Sequence, residues 1–278
     1  MDKLIKDVYV YVIIIFLFFP LKLKAQQNSS NISNKTVNVS GVKVDLLFPI
    51  KKISGTILVL PGWNFSRSDI CEKSDFCYLA SKKGYILIIP EMQKSIYATQ
   101  LFEETRNDWR NFPTLKWVTE NLIPYCQNEF QILRSGQNNY LFGISTGGRG
   151  VAMLSLYTKN IFLAGAAFSG DYNQVTDTSD NLIRGYYGEF KKFPERWKGR
   201  DNPLMNAKKI KIPLFLAHGK LDKIVPFEQS LNFFDTINKI NPELGHKLEL
   251  INNAGHNYEF WSSEYNMAFD FFEKHSKK

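Results

Sequence analysis

Short, unbroken apolar runs alternate along this chain with longer stretches in which apolar residues recur every three or four positions. The runs are TILVLPG (56–62), YILIIPE (85–91), NYLFGI (139–144), LAGAAFSG (163–170), IPLFLAHG (212–219) and HKLELINNA (246–254). Several lack in-out alternation, which predicts strands buried on both faces, as in a parallel sheet. The periodic stretches predict helices over Glu72–Lys83, closed by Gly84, over Thr114–Gln127, from Thr146, after Pro226 and from Tyr258. Strands alternating with helices predict an α/β fold: a mostly parallel, doubly wound sheet with helices on both faces. Between two of the strands, Asp171–Lys209 has no clear period and reads as an irregular insertion with short helices, placed where it could cover a site.

The first 40 residues follow a different pattern. Two lysines in MDKLIK precede the uncharged run Val8–Phe19, and PLKLKA then leads into a polar, Asn/Ser-rich stretch. This is the order of a secretory signal. Twelve helical residues span about 18 Å, short of the roughly 30 Å hydrocarbon core, which favours a cleaved signal ending at Ala25 over an uncleaved anchor. The expected organisation is a signal peptide at 1–25, a linker at 26–40 and a catalytic domain at 41–278, secreted or extracytoplasmic, with no stable membrane insertion after cleavage. TVNV and VKVDLLF flank Ser40-Gly41 in the manner of a hairpin. N-x-S/T triplets at Asn28, Asn31, Asn34 and Asn38 are glycan acceptors only in a host with that machinery.

Charge and cysteines narrow the picture little. The formal net charge is +8. Four lysines and two aspartates lie in the first 25 residues, so +6 remains beyond them, spread in pairs such as Lys82-Lys83, Lys191-Lys192 and Lys208-Lys209. No long basic run of the kind that tracks nucleic acid is present, and no nucleic-acid partner is expected. Cys71 and Cys77 are spaced for a small disulfide loop with Cys126 left over, but three reduced thiols fit equally, since a domain of this size needs no staples. The four histidines have no zinc-site spacing, so no metal and no cofactor are expected.

Ligands of such sheets bind beyond the carboxyl ends of the strands. Ser145 stands there, between Gly143 and Gly147 in GISTGGRG, on a strand-to-helix turn where side chains would collide. Asp222 follows IPLFLAHG and His256 follows HKLELINNA. A serine hydroxyl needs a base, and the base an orienting acid; the chain order Ser145, Asp222, His256 is that of α/β-hydrolases. Asp171, also after a strand, is the competing acid or a pocket-wall residue. His218 reads as a structural hydrogen-bonding residue, while His246 and His275 read as solvated. Oxyanion donors are expected from the N–H of Thr146 and from LPGWNFS, where Trp63 or Asn64 presents the N–H. Trp63, Tyr258 and Trp261 could stack on a sugar or an aromatic acyl group, with Asn64 and Asp171 also lining the site.

GISTGGRG, FSGDYN, HGKLDKIVP and GHNYEFW together resemble the α/β-hydrolase superfamily. The spacing in GHNYEFW is similar to the esterase D-type group, which includes S-formylglutathione hydrolases, feruloyl esterases and antigen 85 mycolyltransferases. The resemblance runs from about Val42 to Lys274; the chain departs from it in reading PGW where many relatives have HG. It implies a serine esterase acting through an acyl-enzyme; export and the aromatic residues Trp63, Tyr258 and Trp261 point to short-chain or aromatic acyl esters, small or carbohydrate-linked. A serine peptidase and an acyltransferase use the same machinery, although the chain beyond the signal is short for the propeller that peptidases of related fold carry. A non-catalytic binding protein of this fold would have no need of the three reactive residues. Oligomeric state has no signal in the sequence.

Overall fold

The computed structural model describes residues 32–277. The expected signal and the acceptors Asn28 and Asn31 lie outside the described residues. Strands β1 (Ile32–Val39), β2 (Val42–Pro49) and β3 (Gly55–Leu60) lead to helix α1 (Phe76–Lys82) and strand β4 (Tyr85–Pro90). Next come α2 (Ile123–Glu129), β5 (Asn139–Ile144), α3 (Thr146–Tyr157) and β6 (Ala164–Phe168). The insertion carries α4 (Asn181–Tyr187) and α5 (Pro194–Lys198), after which β7 (Leu214–Gly219), α6 (Glu228–Ile240), β8 (Lys247–Ile251), α7 (Tyr258–Ser263) and α8 (Tyr265–Lys274) complete the fold.

The strands form one sheet in the order β1-β2-β4-β3-β5-β6-β7-β8. β2 pairs antiparallel with β1 and β4, and all other pairings are parallel. Every residue of β3 to β7 is buried, as continuous apolar runs require when helices cover both faces. Alternate residues serve opposite cores: Leu58 and Leu60 pack with Val118, Leu154 and Phe233, whereas Ile57 and Val59 pack with Phe76, Phe269 and Phe272. The strand order reverses around β3 and β5, so the loops leaving these two strands face each other at the sheet's carboxyl edge, where α/β proteins bind ligands.

Four sequence expectations are corrected. The segment 26–40 is not all linker, because β1 starts at Ile32 and pairs along its whole length with β2. Its polar composition suits an edge strand, which needs only one apolar face: Val39 is buried, and Thr36 donates to Asp45 Oδ1 at 2.6 Å. The helix expected over Glu72–Lys83 is broken into a single turn, Asp69–Glu72, and α1, with a Cys71–Cys77 disulfide joining the two; Gly84 closes α1 at φ +83°. The helix expected from Tyr258 is interrupted at Glu264 and becomes α7 and α8. His246 is not solvated: it is 8% exposed and accepts the Leu214 N–H through Nδ1. The stretch expected to be helical over Thr114–Gln127 is helical, with a π turn at Val118–Leu122. No helix among the described residues is long and apolar enough to cross a membrane.

Candidate active site

Ser145 sits between β5 and α3 with φ +56° and ψ −126°, a conformation that non-glycine residues rarely adopt. Crowding enforces the turn. A Cβ on Gly147 would lie 1.9 Å from Leu60 O, and one on Gly143 would lie 2.2 Å from Gly147 O. Only glycine allows α3 to start this close to β3 and β5. The Ser145 N–H donates to Phe168 O at 2.8 Å, tying the turn to β6. Ser145 Oγ makes no hydrogen bond to a described residue.

Two loops from the far side of the sheet bring Asp222 and His256 together: His256 Nδ1 lies 2.7 Å from Asp222 Oδ2. The Asp222 carboxylate has four donors. Oδ1 accepts the N–H groups of Ile224 and Val225 at 2.8 and 2.9 Å, and Oδ2 faces both His256 Nδ1 and, at 3.2 Å, His218 Nε2. Burial alone would raise its pKa, but the bonds from His218, His256 and Val225 outweigh it and hold the carboxyl well below the usual carboxylate range. His218 is fixed in turn by Ser230 Oγ at 2.7 Å and Val225 O at 3.0 Å. With Nδ1 engaged by the acid, His256 has Nε2 left for a substrate or nucleophile proton.

Two N–H groups are free where an oxyanion could sit. Thr146, first residue of α3, has no intrahelical acceptor, and Trp63 N–H has no acceptor among the described residues. Asn64 N–H, the other sequence candidate, is committed to Gln93 O at 2.9 Å. A Cβ on Gly62 would lie 3.1 Å from Ser145 Cβ, so the loop carrying Trp63 passes directly over the nucleophile candidate. A pocket of about 540 Å³ opens beside Ser145, Thr146 and Trp63, walled by Asp171, Ile183 and Val225 among others.

Three expected substrate contacts lie elsewhere. Asn64 is exposed and does not line the pocket. Trp261 is only 1% exposed: its indole N–H donates to Ser169 Oγ at 3.1 Å, and its ring meets the His256 ring edge-on at 5.2 Å. Tyr258 packs on Trp261 and Phe65 behind the histidine. The aromatic face of α7 therefore supports the His256 loop against the sheet rather than facing the pocket. Asp171 does line the pocket, but it pairs with Arg149 at 3.1 Å and not with a histidine.

Sequence reasoning missed two residues that position this site. Arg149 is fully buried on α3, where it binds Ile96 O, Gln174 Oε1, Tyr187 OH and Asp201 O as well as Asp171, and so anchors the insertion against the start of α3. Burial opposes its charge, yet Asp171, Tyr187 and Asp201 raise its pKa on balance. A charged residue within the small-residue run GISTGGRG was the available signal. Tyr97 crosses Gly150 and donates to Pro61 O at 2.8 Å, bracing the loop that carries Trp63; nothing in its sequence context marks it. Among the described residues, no group of three or more His, Cys, Asp or Glu is placed to hold a metal ion.

Comparison with known proteins identifies the family and the fold. The profile of the prolyl oligopeptidase family matches residues 77–278. No curated protein matches the chain. Among solved structures, the Pyrococcus horikoshii acylaminoacyl peptidase aligns with TM-score 0.70 at 18% identity, over 92% of this chain but 44% of its own. The fluorophosphonate-binding serine hydrolase F of Staphylococcus aureus aligns with TM-score 0.68 at 16% identity, over 87% of this chain and 97% of its own. An S-formylglutathione hydrolase from the same organism gives TM-score 0.68 at 16% identity, over 87% and 99%. A ferulic acid esterase gives TM-score 0.65 at 12%, over 87% and 97%. At these identities the structures establish the α/β-hydrolase fold.

Proposed function

This chain belongs to the prolyl oligopeptidase family of α/β-hydrolase-fold serine hydrolases, and from that premise we propose that it cleaves carboxylic esters through an acyl-enzyme on Ser145. Ser145 Oγ attacks the acyl carbon as its proton passes to His256 Nε2, and the tetrahedral oxyanion accepts the N–H groups of Trp63 and Thr146. The imidazolium then protonates the leaving alkoxide, and water repeats the sequence to release the acid. Asp222 keeps Nδ1 protonated and stabilises the imidazolium, as in the general serine triad. The observation that carries this reading is the 2.7 Å Asp222–His256 pair, held by loops at the same carboxyl edge of the sheet from which Ser145 leaves β5 in a strained strand-to-helix turn.

The acyl group is short-chain or aromatic and can be attached to a carbohydrate, with acetyl and feruloyl esters the leading candidates. Trp63, Ile183 and Val225 give the pocket apolar walls, and Trp63 offers a ring edge or face to an aromatic acyl group. A second reading, peptide-bond cleavage, is favoured by the family match and by the acylaminoacyl peptidase fold. We further propose that the protein acts outside the cytoplasm, on the basis of the signal-like residues 1–25.

Two measurements test this. A fluorophosphonate probe should label the wild type, by displacement of fluoride at phosphorus, and should fail to label Ser145→Ala; labelling that survives the substitution removes Ser145 from the role. Acetyl and feruloyl esters should then exceed peptide amides and long-chain triglyceride emulsions in kcat/KM by more than about tenfold, or ~1.4 kcal/mol of transition-state discrimination. The reverse preference replaces the esterase reading and leaves Ser145 in place.

A further inference from the structure

Lysines that are scattered in the sequence converge in space. Lys159, Lys208, Lys209, Lys211 and Lys277 all line one groove of about 1000 Å³, together with Ser135, Thr158 and Asn160. No acidic residue lines it. All five lysines are exposed, and among the described residues none of them forms an ion pair with Asp or Glu. Elsewhere some surface lysines are paired, Lys73 with Asp69, Lys83 with Glu273 and Lys94 with Asp108, while dispersed ones such as Lys43 and Lys191 have no acidic partner among the described residues; what sets the five apart is their convergence on one concavity.

The groove lies at the end of the sheet opposite Ser145. It is bordered by the carboxyl end of α3, by Leu163 just before β6 and by Ile212 just before β7, whereas Ser145 stands at the amino end of α3. It is thus separated from the reaction by the length of a 12-residue helix, about 18 Å. The negative end of the α3 dipole accounts for Lys159 alone. Five like charges around one concavity repel one another, a cost that folding does not require. A chain of anions laid in the groove relieves that repulsion and releases its own counterions.

We propose that this groove docks a linear polyanion of the carboxylated, sulfated or phosphorylated polysaccharide class. Its chemistry separates that partner from the other anionic polymers. No arginine and no exposed aromatic ring lines it, so it lacks the platform on which nucleic-acid bases stack, Phe162 being buried. Its surface is concave, with Leu156 and Phe162 buried and Leu163 and Ile212 half-buried, unlike the protruding apolar face that enters a membrane.

The test measures binding of the full chain to dextran sulfate and to polygalacturonate between about 50 and 200 mM salt. Neutral dextran, phosphatidylglycerol vesicles and single-stranded poly-dT are run in parallel. The combined Lys208→Ser, Lys209→Ser, Lys211→Ser variant should weaken dextran sulfate binding by more than about tenfold and flatten the log–log salt slope by about 2. A charge-matched variant, Lys43→Ser, Lys82→Ser, Lys191→Ser, removes three exposed lysines outside the groove and should stay within about threefold of the wild type. Equal thermal midpoints and equal fluorophosphonate labelling show that both variants are folded. Equal losses in the two variants would reduce the effect to net charge and overturn the proposal. Tighter binding to vesicles or to poly-dT than to either polysaccharide would overturn the assigned partner class.

Discussion

At the scale of single residues, what the sequence revealed was position relative to strand ends. Ser145, Asp222 and His256 each follow an apolar run directly, and the structure puts Asp222 and His256 in contact while holding Ser145 in a strained turn. Orientation was not legible. Trp261 looked available to substrate because it follows the histidine closely, but the helical turn points its ring into the sheet interface, where burying a large aromatic is most favourable. The two candidate acids can be separated by substitution. Asp222→Asn should lower kcat by about three to four orders of magnitude, by analogy with the serine-protease triad, since an amide cannot hold Nδ1–H in the same way. Asp171→Asn should leave kcat within about tenfold and instead destabilise the fold by about 1–3 kcal/mol, because the buried Arg149 loses a charged acceptor. Steady-state kinetics and urea unfolding of both variants check the ranking, and the opposite ranking would move the acid to Asp171. Acid unfolding adds a second readout. The Asp222 pKa is depressed in the folded state, so its stabilisation is present above the unfolded value of about 3.9 and is lost as pH falls through the folded value. Wild type should therefore lose more stability than Asp222→Asn on acidification below about pH 4.

At the scale of elements, apolar periodicity identified the strands and most helices but not their interruptions. The break between Asp69–Glu72 and α1 coincides with the disulfide, and the one between α7 and α8 falls at the half-turned Glu264; neither leaves a glycine or proline in the sequence to announce it. The burial of the histidine before β8 is hidden in the sequence for a similar reason, since a residue at a strand's start can still be enclosed by the neighbouring strand. His246 Nδ1 accepts the Leu214 N–H at the start of β7, while its Nε2 is buried without a partner. Burial pushes its pKa down to about 4, Glu243 opposing only in part. The folded protein thus binds fewer protons than the unfolded chain between about pH 4 and 6.5, and stability must fall as pH drops through that window. The loss attributable to this residue is on the order of 3 kcal/mol. His246→Gln keeps an acceptor for Leu214 and removes the titration. Urea midpoints measured from about pH 7 down to 4 should fall less steeply in the variant, and parallel curves would show that His246 titrates normally.

At the scale of the whole molecule, the doubly wound architecture followed from the order of strands and helices, whereas the limits of the sheet did not. A central strand announces itself as a continuous apolar run; an edge strand needs only every second residue to be apolar, and in SNKTVNV only Val37 and Val39 meet that need. Those two residues nevertheless bind β1 to the body of the protein. Val39 is buried, Val37 packs against the same core, and Val39 O accepts the indole N–H of Trp117 at 3.2 Å. The strand also covers β2, whose Val44 and Leu46 are fully buried. A fragment beginning at Gly41, where the catalytic domain was expected to start, would lose this cover and expose the unpaired edge of β2. Compared with a fragment spanning 26–278, one spanning 41–278 should be less stable by about 2–4 kcal/mol, the burial of roughly two valine side chains and one hydrogen bond. It should also self-associate, because a bare strand edge next to apolar residues is a template for intermolecular pairing. Urea unfolding and light scattering on the two fragments measure both effects. Equal stability within about 0.5 kcal/mol, with both fragments monomeric, would show that β1 is an appendage and that the catalytic domain does begin at residue 41.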